Sequence, residues 1–65
     1  MTFKNKAEAK KTADEPEARG DRCADAAGTL EAEKVYRAAE EMMRRTHTYR
    51  AEAARIRALL PTLPE

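Results

Sequence analysis

The stretch that decides the fold runs from Thr29 to Leu60, TLEAEKVYRAAEEMMRRTHTYRAEAARIRALL, and contains neither glycine nor proline. Stepping from Val35 by alternate spacings of four and three gives Val35, Ala39, Met42, Thr46, Tyr49, Ala53, Ile56, Leu60 and Leu63 without a slip. Residues in that rhythm lie along one side of an α-helix and form a seam that meets another helix. The rhythm also extends backward to Ala32. Thr29 reads as an N-cap, with Glu31 and Glu33 in the first turn at the positive helix end. Pro61 reads as the stop, because a residue before proline is pushed out of helical geometry. The expectation is one long, heptad-patterned helix over about 30–60.

The two seam positions differ in size. One carries Ala32, Ala39, Thr46, Ala53 and Leu60, the other Val35, Met42, Tyr49, Ile56 and Leu63. Small residues let helix axes approach while large ones fill the flanks, which favours antiparallel pairing with large side chains over small ones. Burying five large residues yields roughly 8–15 kcal/mol gross, much of it cancelled by the entropy of ordering the chain. The fold class is therefore all-α, the long helix pairing as a coiled coil or helical bundle with a second copy or a partner protein. A break into a hairpin at Thr46-His47-Thr48 is the weaker alternative, since no Gly, Pro or Asn is there to turn the chain. A helix lying on a membrane is disfavoured by Glu40, Glu41 and Glu52 on the polar face and by the absence of Trp.

Upstream, residues 1–28 have a different chemistry. Lysine is concentrated at Lys4, Lys6, Lys10 and Lys11, and large apolar side chains are missing between Phe3 and Leu30 apart from Cys23. Lys4 to Ala13 has fair helix propensity but no apolar face. Asp14-Glu15-Pro16-Glu17 reads as a helix start, with Asp14 as N-cap and Pro16 in the first turn, opening a helix to about Ala27 interrupted by Gly20. This segment is expected to be disordered or weakly helical. The alternative is a thin, Ala-faced helix folded back on the main one. Residues 61–65 form a Pro-terminated tail.

Composition bounds the function. At 65 residues, 38% of them charged, the chain is at most one small domain and needs help to be stable. Cys23 is the single cysteine and His47 the single histidine, so neither an internal disulfide nor a metal site is expected, and no cofactor either. Oligomerisation or folding on a partner remains. The Ala, Glu, Lys and Arg bulk suits long helices, and Val35 and Ile56 are the only β-branched aliphatics. The N-terminal stretch has no apolar run, which excludes a signal peptide or membrane span from the expectation, and one unpaired cysteine fits a reducing compartment. The chain is read as cytoplasmic, and its preference for Ala and Arg, which high-GC coding favours, suits a bacterial or phage source.

Around the seam, Glu33–Arg37, Glu40–Arg44 and Glu41–Arg45 are spaced i,i+4 with the acid first, each worth a few tenths of a kcal/mol. Arg50 and Arg57 sit beside the seam, a heptad apart, with no acid three or four residues away, on an edge that also carries Tyr36 and Met43. Such arginines meet carboxylates of a partner helix or phosphates. His47 reads as an exposed histidine and Cys23 as a plain thiol. No carboxylate pair is placed for a concave site and no Gly-rich phosphate loop or nucleophile–base arrangement is present, so neither catalysis nor a small-molecule substrate is expected. The leading expectation is a helical protein–protein interaction module, an adaptor, inhibitor or assembly factor that self-associates through the seam, with Arg50 and Arg57 selecting the partner. The alternative is a nucleic-acid accessory protein in which Arg44, Arg45, Arg50, Arg55 and Arg57 neutralise phosphates.

Overall fold

Residues 2–65 are described by a computed structural model. Among them the chain forms two α-helices, α1 (Lys6–Ala32) and α2 (Tyr36–Ala58), packed antiparallel along their length, and then a short 3-10 turn at Leu60–Thr62. There is no strand among the described residues, and the all-α class follows directly. The single long helix over 30–60 is corrected: what reads as one helix from Thr29 is the end of α1, a turn at Glu33–Lys34–Val35, and α2.

The turn explains itself through the backbone. Lys34 has φ 63°, in the left-handed region, and follows the C-cap Glu33. The Lys34 N–H donates to the Glu31 carbonyl at 3.0 Å and the Val35 N–H to the Leu30 carbonyl at 2.8 Å. That pair of bonds is the Schellman arrangement, which satisfies carbonyls left over at a helix end and reverses the chain. Glycine is the usual residue at the left-handed position, and a side chain there carries a penalty of about 1 kcal/mol. Thr29, placed as an N-cap by its sequence, instead lies inside α1 and donates its hydroxyl to the Asp25 carbonyl at 3.3 Å. Lys34→Gly is expected to raise stability by about 0.5–1 kcal/mol, the gain in the turn being partly offset by a more flexible unfolded chain. A chemical-denaturation midpoint that falls on this substitution would contradict the account of the turn.

The disordered or weakly helical N-terminal segment is likewise corrected, in favour of the folded-back helix. α1 begins not at Asp14 but at Lys6, where the Asn5 side chain accepts the Glu8 N–H at 2.9 Å as N-cap. It runs through Pro16, whose ring is buried although the position forfeits a backbone hydrogen bond. What orders α1 is a stripe of small residues: Ala9, Ala13, Pro16, Gly20 and Ala27 are all buried, and Cys23 between them is half-buried. Their spacing is also four, three, four, three and four. Facing them, Ala39, Thr46, Ala53 and Ile56 of α2 are buried. Alanine and glycine remove little apolar area each but bring the two backbones close, so dispersion contacts between many atoms replace a few large side chains.

The larger apolar residues gather at the end opposite the turn. Phe3, Ala9, Ala13 and Ile56 form the buried cluster, and Leu59, Leu60 and Leu63 pack against it half-buried. The ends of the chain are tied there, the Lys6 N–H donating to the Pro64 carbonyl at 2.8 Å and the Lys6 ammonium lying 3.1 Å from Glu65.

Candidate interaction surface

The nine seam residues separate into three groups. Ala39, Thr46, Ala53 and Ile56 are buried, Met42, Tyr49, Leu60 and Leu63 are half-buried, and Val35 is exposed at the turn. Ala32, the backward extension of the rhythm, is also exposed. From Ala39 onward, then, α1 of the same chain lies against the seam. Thr46, part of the alternative hairpin break read from the sequence, is instead fully buried in mid-helix. Its hydroxyl lies 2.9 Å from the Met42 carbonyl and 3.3 Å from the Gly20 carbonyl across the interface. A Cβ placed on Gly20 would lie 3.2 Å from Arg50 Cγ and 3.5 Å from the Thr46 carbonyl oxygen. The helices approach closely here, and the Thr46 hydroxyl ties the two backbones at Gly20.

Arg50 and Arg57 find their carboxylates on α1. Arg50 lies 3.4 Å from Asp21, and Arg57 lies 3.6 Å from Asp14 and donates to Glu17. Asp14 and Asp21 are a heptad apart, as are the two arginines, and the antiparallel course of the helices matches them in reverse order. The Arg57 hydrogen bond, opposed by partial desolvation, holds the Glu17 carboxyl below the ordinary carboxylate range, and Glu17 in turn raises Arg57. With the folded-state value depressed, the stabilisation is complete above the unfolded carboxyl's pKa and is lost as pH falls through the lower folded value. Hairpin stability is therefore expected to decline on acidification through the carboxylate range, and Glu17→Gln to flatten part of that decline. Parallel acid-melt curves for the two proteins would remove Glu17 from the explanation.

Arg44 and Arg45 also hold acids. Arg44 lies 3.5 Å from Glu40 and 3.7 Å from Glu41, and Arg45 lies 3.6 Å from Glu41. All are exposed pairs of small energetic worth. The third sequence pair, Glu33 with Arg37, is not among the ion pairs of the described residues, because the chain turns between them. Arg55 forms no ion pair among the described residues and sits with Arg57 in the last turn of α2, where positive charge suits the helix dipole. On the opposite edge, Arg19 stands over the Tyr49 ring at 6.0 Å and shares a shallow groove with Arg22, Cys23, Ala26 and Met42.

One edge of α2 remains uncovered. Val35, Tyr36 and Met43 are the exposed large hydrophobic residues among those described, with Tyr36 61% accessible. On α1, one heptad toward the turn from the Asp21–Arg50 pair, Gly28 takes the place of the acid and Met43 that of the arginine; a Cβ on Gly28 would meet nothing within 4 Å. The edge is thus ionic toward the chain ends and apolar and open toward the turn.

Sequence reasoning held α1 only as the alternative of a thin, Ala-faced helix folded back, and did not identify Ala9, Ala13, Pro16 and Gly20 as its packed stripe or Asp14, Glu17 and Asp21 as the arginines' partners. The signal was the same alternation of four and three, carried by residues too small to register as apolar. A second signal was the step of five from Leu30 to Val35, which breaks the phase between the two stripes and marks the turn. No described helix is long and apolar enough to cross a membrane. No protein-family model matches the chain, and neither does any curated protein or solved structure.

Proposed function

We propose that the chain is a small protein-binding module, a helical hairpin that covers most of its own seam and offers the outer edge of α2 near the turn to another helix. The observation that carries this reading is the grouping of Val35, Tyr36 and Met43 at one end of the hairpin. Scattered exposed apolar residues are ordinary on any protein surface, whereas Tyr36 and Met43 stand a heptad apart on one edge, beside Val35 and near the turn, as a helix-binding edge requires. An adaptor, inhibitor or assembly role fits such a surface, and the module binds without catalysing a reaction. A second form of the same reading uses the seam itself, with a larger-faced helix displacing α1; the thinness of α1's Ala and Gly stripe favours it. The nucleic-acid alternative is weakened by a net charge of only +1 and by the acids Glu40, Glu41 and Glu52 interleaved with the arginines of α2.

The test is capture of binding proteins by the tagged hairpin and by its Tyr36→Ser/Met43→Ser form, with helicity followed by circular dichroism. The double substitution is expected to abolish capture and leave the helical signal unchanged. Capture that persists in the double variant, but disappears with Ile56→Asp, would move the binding surface to the seam.

A further inference from the structure

Resting on that reading, the structure assigns the exposed edge a specific occupant: we infer that a second copy of the chain packs there, α2 antiparallel to α2 about a two-fold axis. The first argument is area. A folded chain of 7.3 kDa ordinarily exposes about 4,200 Å². This one exposes 4875 Å², a consequence of its 47 × 14 × 13 Å rod shape. That is about 700 Å² more than a compact chain of this mass exposes, so the rod has surface enough to give up the ~800 Å² that each partner contributes to a stable interface. With one cysteine in the chain, and no metal-binding cluster among the described residues, association is the available means of covering it.

The second argument is self-complementarity. About a third of a turn round α2 from its buried face runs a second alternation of four and three: Tyr36, Glu40, Met43, His47, Arg50 and Ala54, all exposed. The large apolar members stand in the half near the turn, and the small and basic ones in the half near the chain ends. An antiparallel pairing that keeps both stripes in phase sets Tyr36 against Ala54 of the second copy and Met43 against His47 of the second copy. The same register sets Glu40 against Arg50 of the second copy. Each contact occurs twice, as a two-fold interface requires. A knob meets a small residue, a carboxylate meets a guanidinium, and no like charges are opposed at these positions. Glu40 and Arg50 already hold Arg44 and Asp21 in the same chain, but these are exposed pairs that re-form at little cost.

Sedimentation velocity of the reduced protein, from micromolar to millimolar concentration, tests the inference. Wild type is expected to pass from monomer to dimer across this range. Met43→Glu acts twice across the axis, so a tenfold loss per copy raises the dissociation constant about 100-fold, with helicity unchanged because the position is exposed. Glu40→Arg and Arg50→Glu are each expected to weaken the dimer, and the two together in one chain to restore it. Wild type that stays monomeric throughout would overturn the inference. So would a dimer indifferent to Met43→Glu, or a double charge exchange that fails to recover association in a chain still helical. A monomer that nevertheless captures another protein in a Tyr36- and Met43-dependent way would leave the protein-binding reading standing; a monomer that captures nothing would end both.

Discussion

Gly20→Leu is expected to destabilise the hairpin strongly, and Gly20→Ala to leave it at least as stable. The backbones lie close together at this position, with the Thr46 carbonyl oxygen 3.5 Å from where a Cβ would sit and Arg50 Cγ 3.2 Å away. A single methyl requires only that the stem of an exposed arginine shift by a few tenths of an ångström. In return, alanine is about 1 kcal/mol better than glycine inside a helix. A leucine has no such outlet, because what lies beyond its Cβ is the backbone of α2. Overpacking of that kind costs about 1–3 kcal/mol and occasionally more. Here it would also separate the flanking alanines from their contacts and the Thr46 hydroxyl from the Gly20 carbonyl. Thermal melts of the two variants beside wild type measure the difference; a leucine variant that melts with wild-type cooperativity would show that the helices do not approach at Gly20.

Ile56→Ala carries the second large effect. Ile56 is 1% accessible, the largest of the fully buried side chains, and it joins Phe3, Ala9 and Ala13 to the half-buried leucines of the C-terminal turn. Truncation of such a residue to alanine costs about 2–5 kcal/mol in other proteins. A domain of 65 residues has roughly 3–10 kcal/mol of total stability. The variant should therefore lose most of its folded population near physiological temperature, visible as a collapsed helical signal and a low urea midpoint. Ala53, though just as buried, has no comparable side chain to lose, so Ala53→Gly should cost only about 1 kcal/mol, mainly through helix propensity. Equal losses at the two sites would mean that backbone order, and not the apolar cluster, dominates the stability.

What could be read in advance follows the size of the side chains. The α2 stripe from Ala39 to Ile56 was legible because Met42, Tyr49 and Ile56 mark its period. The opposing stripe of α1 was not, because it rests on residues whose burial comes from the closeness of the backbones. A window that scores apolar bulk passes over Ala9, Ala13 and Gly20, although their spacing is as regular. The turn was hidden for a related reason. Lys34 occupies a left-handed position that glycine would have announced, and glutamate, lysine and alanine around it are good helix formers. Only the step of five between Leu30 and Val35 betrays it. The edge of the seam was legible in its residues and incomplete in its partners: Arg50 and Arg57 stood out for want of nearby acids, and the acids came from Asp14, Glu17 and Asp21 across the turn. Tyr36 and Met43, noted on the same edge, are the ones that α1 leaves open.

Placing the apolar cluster at the end remote from the turn has a consequence for the kinetics of folding. Contacts near the turn close short loops but return less, because they join Ala27 and Ala39 with the half-buried Leu30 and Met42. The contacts that return most, between Phe3 and Ile56 and the leucines behind it, require a loop of roughly fifty residues to close, about 2 kcal/mol dearer in entropy than one of five. A hairpin zipped from its turn therefore runs uphill until its two chain ends meet. Its transition state is expected to hold those ends together, and stopped-flow refolding is expected to be slower than its helical content and small size alone would suggest.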